Sequence, residues 1–138
     1  MVSEALRHPG KGRPLLLVSS NPDVVDLYVL ALRSARIGAL SVGSVNEAMQ
    51  LIRDESVSAV IVDVANPVVD WDVCRQIHAI GGNEIPLIVL TGWIDAEARQ
   101  TASSIGCAAF VAKPASPERL LDVLHRTHMG ERGIVSVD

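Results

Sequence analysis

A chain of 138 residues, 49% apolar and 20% charged, holds one globular domain with its own core and excludes general disorder. Twelve Lys and Arg against sixteen Asp and Glu leave a formal net charge of −4, so there is no electrostatic case for a nucleic-acid or anionic-membrane partner. No apolar run approaches a membrane span, no signal-peptide stretch opens the chain, and the two cysteines, Cys74 and Cys107, lack metal-ligand spacing. These features predict a cytoplasmic protein that meets other proteins or small molecules and keeps both thiols reduced and buried.

In chain order, short runs of Val, Ile and Leu alternate with stretches of helical spacing. Residues 1–13 read as a flexible tail. A first strand runs from Pro14 to Val18. Asn21 as cap and Pro22 at the first helical position open a helix to about Ser34, with Asp23 and Asp26 facing its positive end. A second strand covers Ala39 to Val42, and the capping box from Ser44 to Glu47 opens a helix through Arg53. The third strand is Ala59 to Val62, followed by a helix from about Asp70 or Asp72 to Ile80, closed by Gly81 and Gly82. Ile85 to Leu90 is the fourth strand, and a helix from Asp95 stops at Gly106. Ala108 to Ala112 is the fifth. Ser116 and Pro117 open a last helix that turns Leu120, Leu121, Val123 and Leu124 inward. Residues 14–127 form the domain and 128–138 a second tail.

The first, third and fourth strands are apolar throughout, as strands buried on both faces are, which leaves the second and fifth as edges. Right-handed crossovers of this length give a doubly wound five-stranded parallel α/β sheet of order 2-1-3-4-5. In such sheets ligands sit at the carboxyl ends of the strands. There the chain places Asp63 after the third strand, Thr91 and Gly92 after the fourth, and Lys113 and Pro114 after the fifth. Lys113 stands out because the chain uses ten arginines and two lysines, so this position calls for a compact point charge.

Over residues 14 to 127 the chain resembles a response regulator receiver domain, a CheY-like, flavodoxin-like three-layer sandwich. Three stretches carry the likeness: Val60, Ile61, Val62, Asp63 with Pro67; Thr91 with Gly92; and Ala112, Lys113, Pro114 with Phe110 before them. The resemblance implies that Asp63 is the phosphoacceptor of a histidine kinase, that Thr91 and Lys113 contact the phosphoryl group, and that Phe110 is the switch aromatic. It further implies a cis Lys113–Pro114 bond. The first strand of a receiver normally ends in two carboxylates that bind Mg²⁺, and here Ser19 and Ser20 stand in their place. Asp63 and Lys113 then sum to zero charge, so no cofactor is expected, and Mg²⁺ only if weakly bound. Asp63 and Asp23 are weak candidates for holding it, and helix-end stabilisation already explains Asp23.

Phe110 carries no phenolic oxygen, so a rotamer change in it cannot end in a hydrogen bond. Trp71, where the family usually has Gly, and Trp93 flank the functional edge, as a partner-docking surface or as a local hydrophobic patch. His125 and His128, three apart, read as dipole partners at a helix end, and His8 and His78 have no partner in view. The favoured function is a receiver with a degenerate acidic pocket, weakly phosphorylated or phosphorylation-independent, acting through protein contacts. A conventional Asp63 phosphoacceptor is the alternative, and a flavodoxin-like cofactor carrier a lesser one, since no Gly-rich phosphate loop follows the first strand. Beyond phosphoryl transfer to and from Asp63 no catalysis is expected. A histidine kinase or a downstream effector is the expected partner, with a homodimer left open.

Overall fold

The computed structural model describes residues 13–54, 56–128 and 135–137. Its elements are β1 (Leu15–Val18), α1 (Pro22–Ser34), β2 (Ala39–Val42), α2 (Val45–Arg53), β3 (Ala59–Val64) and α3 (Pro67–Gly81). A 3-10 turn (Gly82–Glu84) leads to β4 (Leu87–Thr91), α4 (Ala96–Ile105), β5 (Ala109–Ala112), α5 (Pro117–His128) and β6 (Val135–Val137). All strand pairs are parallel, in the order β2-β1-β3-β4-β5-β6.

The predicted order of the first five strands holds. Two expectations are corrected by β6: residues 135–137 pair along β5, with Phe110 opposite Ser136, so they are not a tail and β5 is not an edge. Of the tail expected over residues 1–13, residues 1–12 lie outside the described residues.

Capping chemistry sets most boundaries. Asn21 Oδ1 accepts from the Asp23 amide at 2.9 Å, and the Ser44 hydroxyl accepts from the Glu47 amide at 3.3 Å while donating back to the Glu47 carboxylate at 3.2 Å. Asp95 caps α4 by accepting from the Ala98 amide at 2.9 Å. Gly106 ends α4 in the left-handed region at φ +103°, and the His78 ring lies so close that an added Cβ would sit 2.7 Å from its Nε2.

Side chains alternate across the sheet and divide the core into two layers. Leu15, Leu17, Ile61, Leu90 and Val111 pack against Tyr28, Val29 and Leu32 of α1 and Leu120, Val123 and Leu124 of α5. On the other face Leu16, Val18, Val62, Val89 and Phe110 pack against Ile52 of α2, Trp71, Cys74 and Ile77 of α3, and Ala98 and Ala102 of α4. The three-layer sandwich leaves the loops after β1, β3, β4 and β5 gathered along the carboxyl edge.

Candidate functional site

Leu17, Ile61 and Val111 face the α1 and α5 layer. Ser19, Asp63 and Lys113 each follow two residues later, so the same alternation carries them to that face, just past the end of the core. Val18 lies opposite Val62, which brings Ser19 alongside Asp63. The Ser19 hydroxyl donates to Asp63 Oδ2 at 2.9 Å and accepts from the Asn21 amide at 3.1 Å. The Lys113 ammonium forms an ion pair with Asp63 Oδ1, to which no neutral donor among the described residues is aimed. The Asp63 side chain is 3% exposed and that of Lys113 26%. The Lys113–Pro114 peptide bond is cis.

A carboxylate this deeply buried is costly unless a charge and hydrogen bonds compensate it. Here one oxygen meets an ammonium and the other a hydroxyl, and the pair is neutral. Divalent cations of the Mg²⁺ type want one or two carboxylates with free oxygens besides any phosphate. The residues present do not fit such an ion: Ser19 is committed to Asp63, Ser20 is exposed and neutral, and both Asp63 oxygens have partners. Among the described residues no group of three or more His, Cys, Asp and Glu is placed to hold a metal. Asp23 is exposed on the first turn of α1, where it lines, with Lys113, Leu27, Tyr28 and Pro114, a shallow cavity of about 450 Å³.

Thr91 and Phe110 belong to the opposite face. The Thr91 hydroxyl donates to the Val64 carbonyl at 2.9 Å and accepts from the Trp93 amide at 3.0 Å, so it braces the ends of β3 and β4 and makes no bond to Asp63. Phe110 is fully buried, with the Arg99 guanidinium 5.1 Å from its ring centroid. The expectation that Trp71 lines a docking rim is corrected: it is 7% exposed and packs in the core with Cys74 and Ile77. The reason is the start of α3 at Pro67, which puts Trp71 one turn into the helix on its inner stripe. Trp93 is 51% exposed beside the equally open Ile94.

Sequence reasoning missed three residues. The buried Tyr28 hydroxyl donates to the Ala115 carbonyl, tying α1 to the loop after Lys113; burial raises its pKa and the nearby Asp63 charge adds to the rise. Asp70 accepts from the amides of Ala65 and Asn66 at 2.9 and 2.8 Å, holding the loop that leaves Asp63. Its spacing from Asn66-Pro67, which repeats the Asn21-Pro22 start signal, could have located it. Arg99 carried no signal, because a cation over a ring has no sequence period. Both cysteines are free and buried, as expected; His125 is exposed.

A doubly wound parallel sheet with a buried acid on β3 and a lysine before a proline after β5 is the arrangement of a CheY-like α/β fold. Residues 15–125 match the response regulator receiver domain, and the chain belongs to that family. It is similar to the probable transcriptional regulator ycf27 of Guillardia theta, 30% identical over 122 residues that cover 78% of this chain and 47% of that protein. The sensory/regulatory protein RpfC of Xanthomonas campestris pv. campestris is 29% identical over 125 residues, covering 86% of this chain and 17% of RpfC. The chain thus spans less than half the length of these curated relatives. Among solved structures, Vibrio cholerae CheY4 superposes with a TM-score of 0.74 at 21% identity, covering 83% of this chain and 98% of that one. A putative response regulator from Chloroflexus aurantiacus gives 0.74 at 26% identity, covering 85% and 98%. Family membership decides for a receiver of two-component signalling over a cofactor carrier. No helix among the described residues is long and apolar enough to cross a membrane.

Proposed function

We propose that this receiver domain has a degenerate acidic pocket and signals through protein contacts without depending on a stable aspartyl phosphate. The observation that carries the reading is the internal satisfaction of Asp63 by Ser19 and Lys113. A phosphoryl donor brings negative charge towards a carboxylate, and catalysis of that step rests on cations that screen both. Here the ammonium is already engaged, and the two acids that would recruit a divalent ion are serines. Each lost unit charge near 4 Å is worth up to about 4 kcal/mol at an effective dielectric near 20, so Mg²⁺ affinity falls by powers of ten. Its partners are a kinase, an effector or a second copy, met in the cytoplasm, and no catalysis beyond phosphoryl exchange at Asp63 is assigned.

The conventional phosphoacceptor stays as a second reading, favoured by the Lys113 contact with Asp63. Calorimetric titration with Mg²⁺, with and without beryllofluoride, together with labelling by acetyl phosphate, separates the two. The proposed function expects no saturable binding at millimolar ion and no hydroxylamine-labile label. A submillimolar dissociation constant with labelling of Asp63 would reinstate the phosphoacceptor.

A further inference from the structure

We propose that Arg99 is a positioning residue that holds the Phe110 ring inward and fixes the start of α4, with Trp93 and Ile94 before it, in one setting that does not answer to Asp63. This deepens the phosphate-independent reading and is tested separately from it. Phe110 is fully buried and the Arg99 guanidinium lies 5.1 Å from its centroid. A guanidinium at this distance attracts the ring face, more strongly where water is partly excluded, and Arg99 is itself half-buried. Arg99 stands in the first turn of α4 while Phe110 lies in mid β5, so the contact ties helix to sheet.

The route from the pocket to this contact is occupied. Thr91 shares the ring's side of the sheet, and its hydroxyl is bonded to the Val64 carbonyl and the Trp93 amide. To turn towards Asp63 it would forfeit both bonds. Asp63 faces the opposite layer and draws on Ser19 and Lys113. The ring has no oxygen through which an outside acceptor could pull it. What sets the loop bearing Trp93 is therefore Thr91 from one side and Arg99, through Phe110, from the other.

Phe110 is the chain's single phenylalanine, so biosynthetic para-fluorophenylalanine gives one fluorine NMR reporter on this ring. The full chain should show one narrow resonance, and Ser19→Ala, which disturbs Asp63 inside the pocket, should leave it in place. Arg99→Leu should add a second, exchanging resonance, raising the outward ring population roughly two- to thirtyfold, the range that cation–π energies span. Arg99→Lys should restore the single line. Should the leucine variant unfold, Arg99→Gln, which keeps a polar, unbranched side chain and loses the charge, reports in its stead. An unchanged line in the uncharged variant overturns the proposal, since packing alone then holds the ring. So does a Ser19→Ala shift as large as that of Arg99→Leu. Acetyl phosphate labelling of Asp63 with an unmoved fluorine line would remove the phosphate-independent reading and leave the Arg99 assignment standing.

Discussion

The Ser19 hydroxyl donates a 2.9 Å hydrogen bond to the carboxylate of Asp63, 44 positions later in the chain. The bond replaces a charged neighbour by a neutral donor and gives the buried acid a partner it would otherwise seek from a cation or water. Ser19→Ala should cost about 1–3 kcal/mol, because Asp63 Oδ2 is left without a donor in a dry site. That loss should be the same with Mg²⁺ or chelator. The double change Ser19→Asp and Ser20→Asp should lower the melting temperature in chelator, by crowding three carboxylates around one ammonium, and recover on adding Mg²⁺. A double variant more stable than the native chain in chelator would contradict the charge argument.

The ion pair between Lys113 and Asp63 can be dissected in the same way. Lys113→Met removes the ammonium and strands a carboxylate that is 3% exposed, which should cost about 3–5 kcal/mol in urea melts. Asp63→Asn combined with Lys113→Met removes both charges and should be clearly more stable than Lys113→Met alone. The opposite ranking would mean that another group serves Oδ1.

The two tryptophans should separate sharply. Trp71→Ala opens a cavity between α3 and the sheet and should cost about 3–5 kcal/mol. Trp93→Ala touches a side chain that is half exposed and should change stability by no more than about 0.5 kcal/mol. Iodide quenching checks the same assignment without changing fold energetics. Fluorescence remaining in Trp71→Phe should be quenched readily, and that in Trp93→Phe should be protected.

Alkaline pH should expose three buried acids. Burial lifts the Cys107 thiol to about 12, and Cys74 and Tyr28 are also raised, chiefly by desolvation. Below their ordinary values both folded and unfolded chains are protonated and no slope arises. Above about pH 9 the unfolded thiols release protons that the folded chain retains, so the unfolded state binds fewer protons and stability falls as pH rises. The slope is about 1.4 kcal/mol per pH unit for each group, with Tyr28 joining above its ordinary value of 10.0. Urea midpoints against pH should show it, and Cys74→Ala with Cys107→Ala should flatten it. A flat native profile would mean that the thiols already ionise in the folded chain.

Strands were legible where apolar runs admit one explanation, as in Leu15 to Val18 and Leu87 to Leu90. Element ends were less so. Asp63 looked like a terminus because it is charged, yet β3 continues through Val64, since Ser19 and Lys113 make the acid tolerable in the ladder. The start of α3 lies earlier than Asp70 or Asp72 suggest, because Asn66 and Pro67 open the helix ahead of Val68 and Val69. The same displacement takes Trp71 off the rim and into the core. The convergence of Asp63, Thr91 and Lys113 on one edge followed from topology, but which of them touch did not: alternation sends Thr91 to the other face. Contacts between distant elements, such as Tyr28 with Ala115, depend on packing that no local pattern encodes.

The strand Val135–Val137 also bears on how the sheet behaves at high concentration. An open strand edge is a template for other chains, and the apolar β5 would be a good one. With β6 laid along it, the sheet is bounded by a three-residue strand on one side and the four-residue β2, half polar in its exposed positions Leu40 and Ser41, on the other. Edges this short give an incoming chain few ladder bonds, which discourages cross-β aggregation. Deleting residues 135–138 should uncover Ala109 to Val111 and shorten the time to turbidity on mild heating, with no such change expected from removing Asp138 alone.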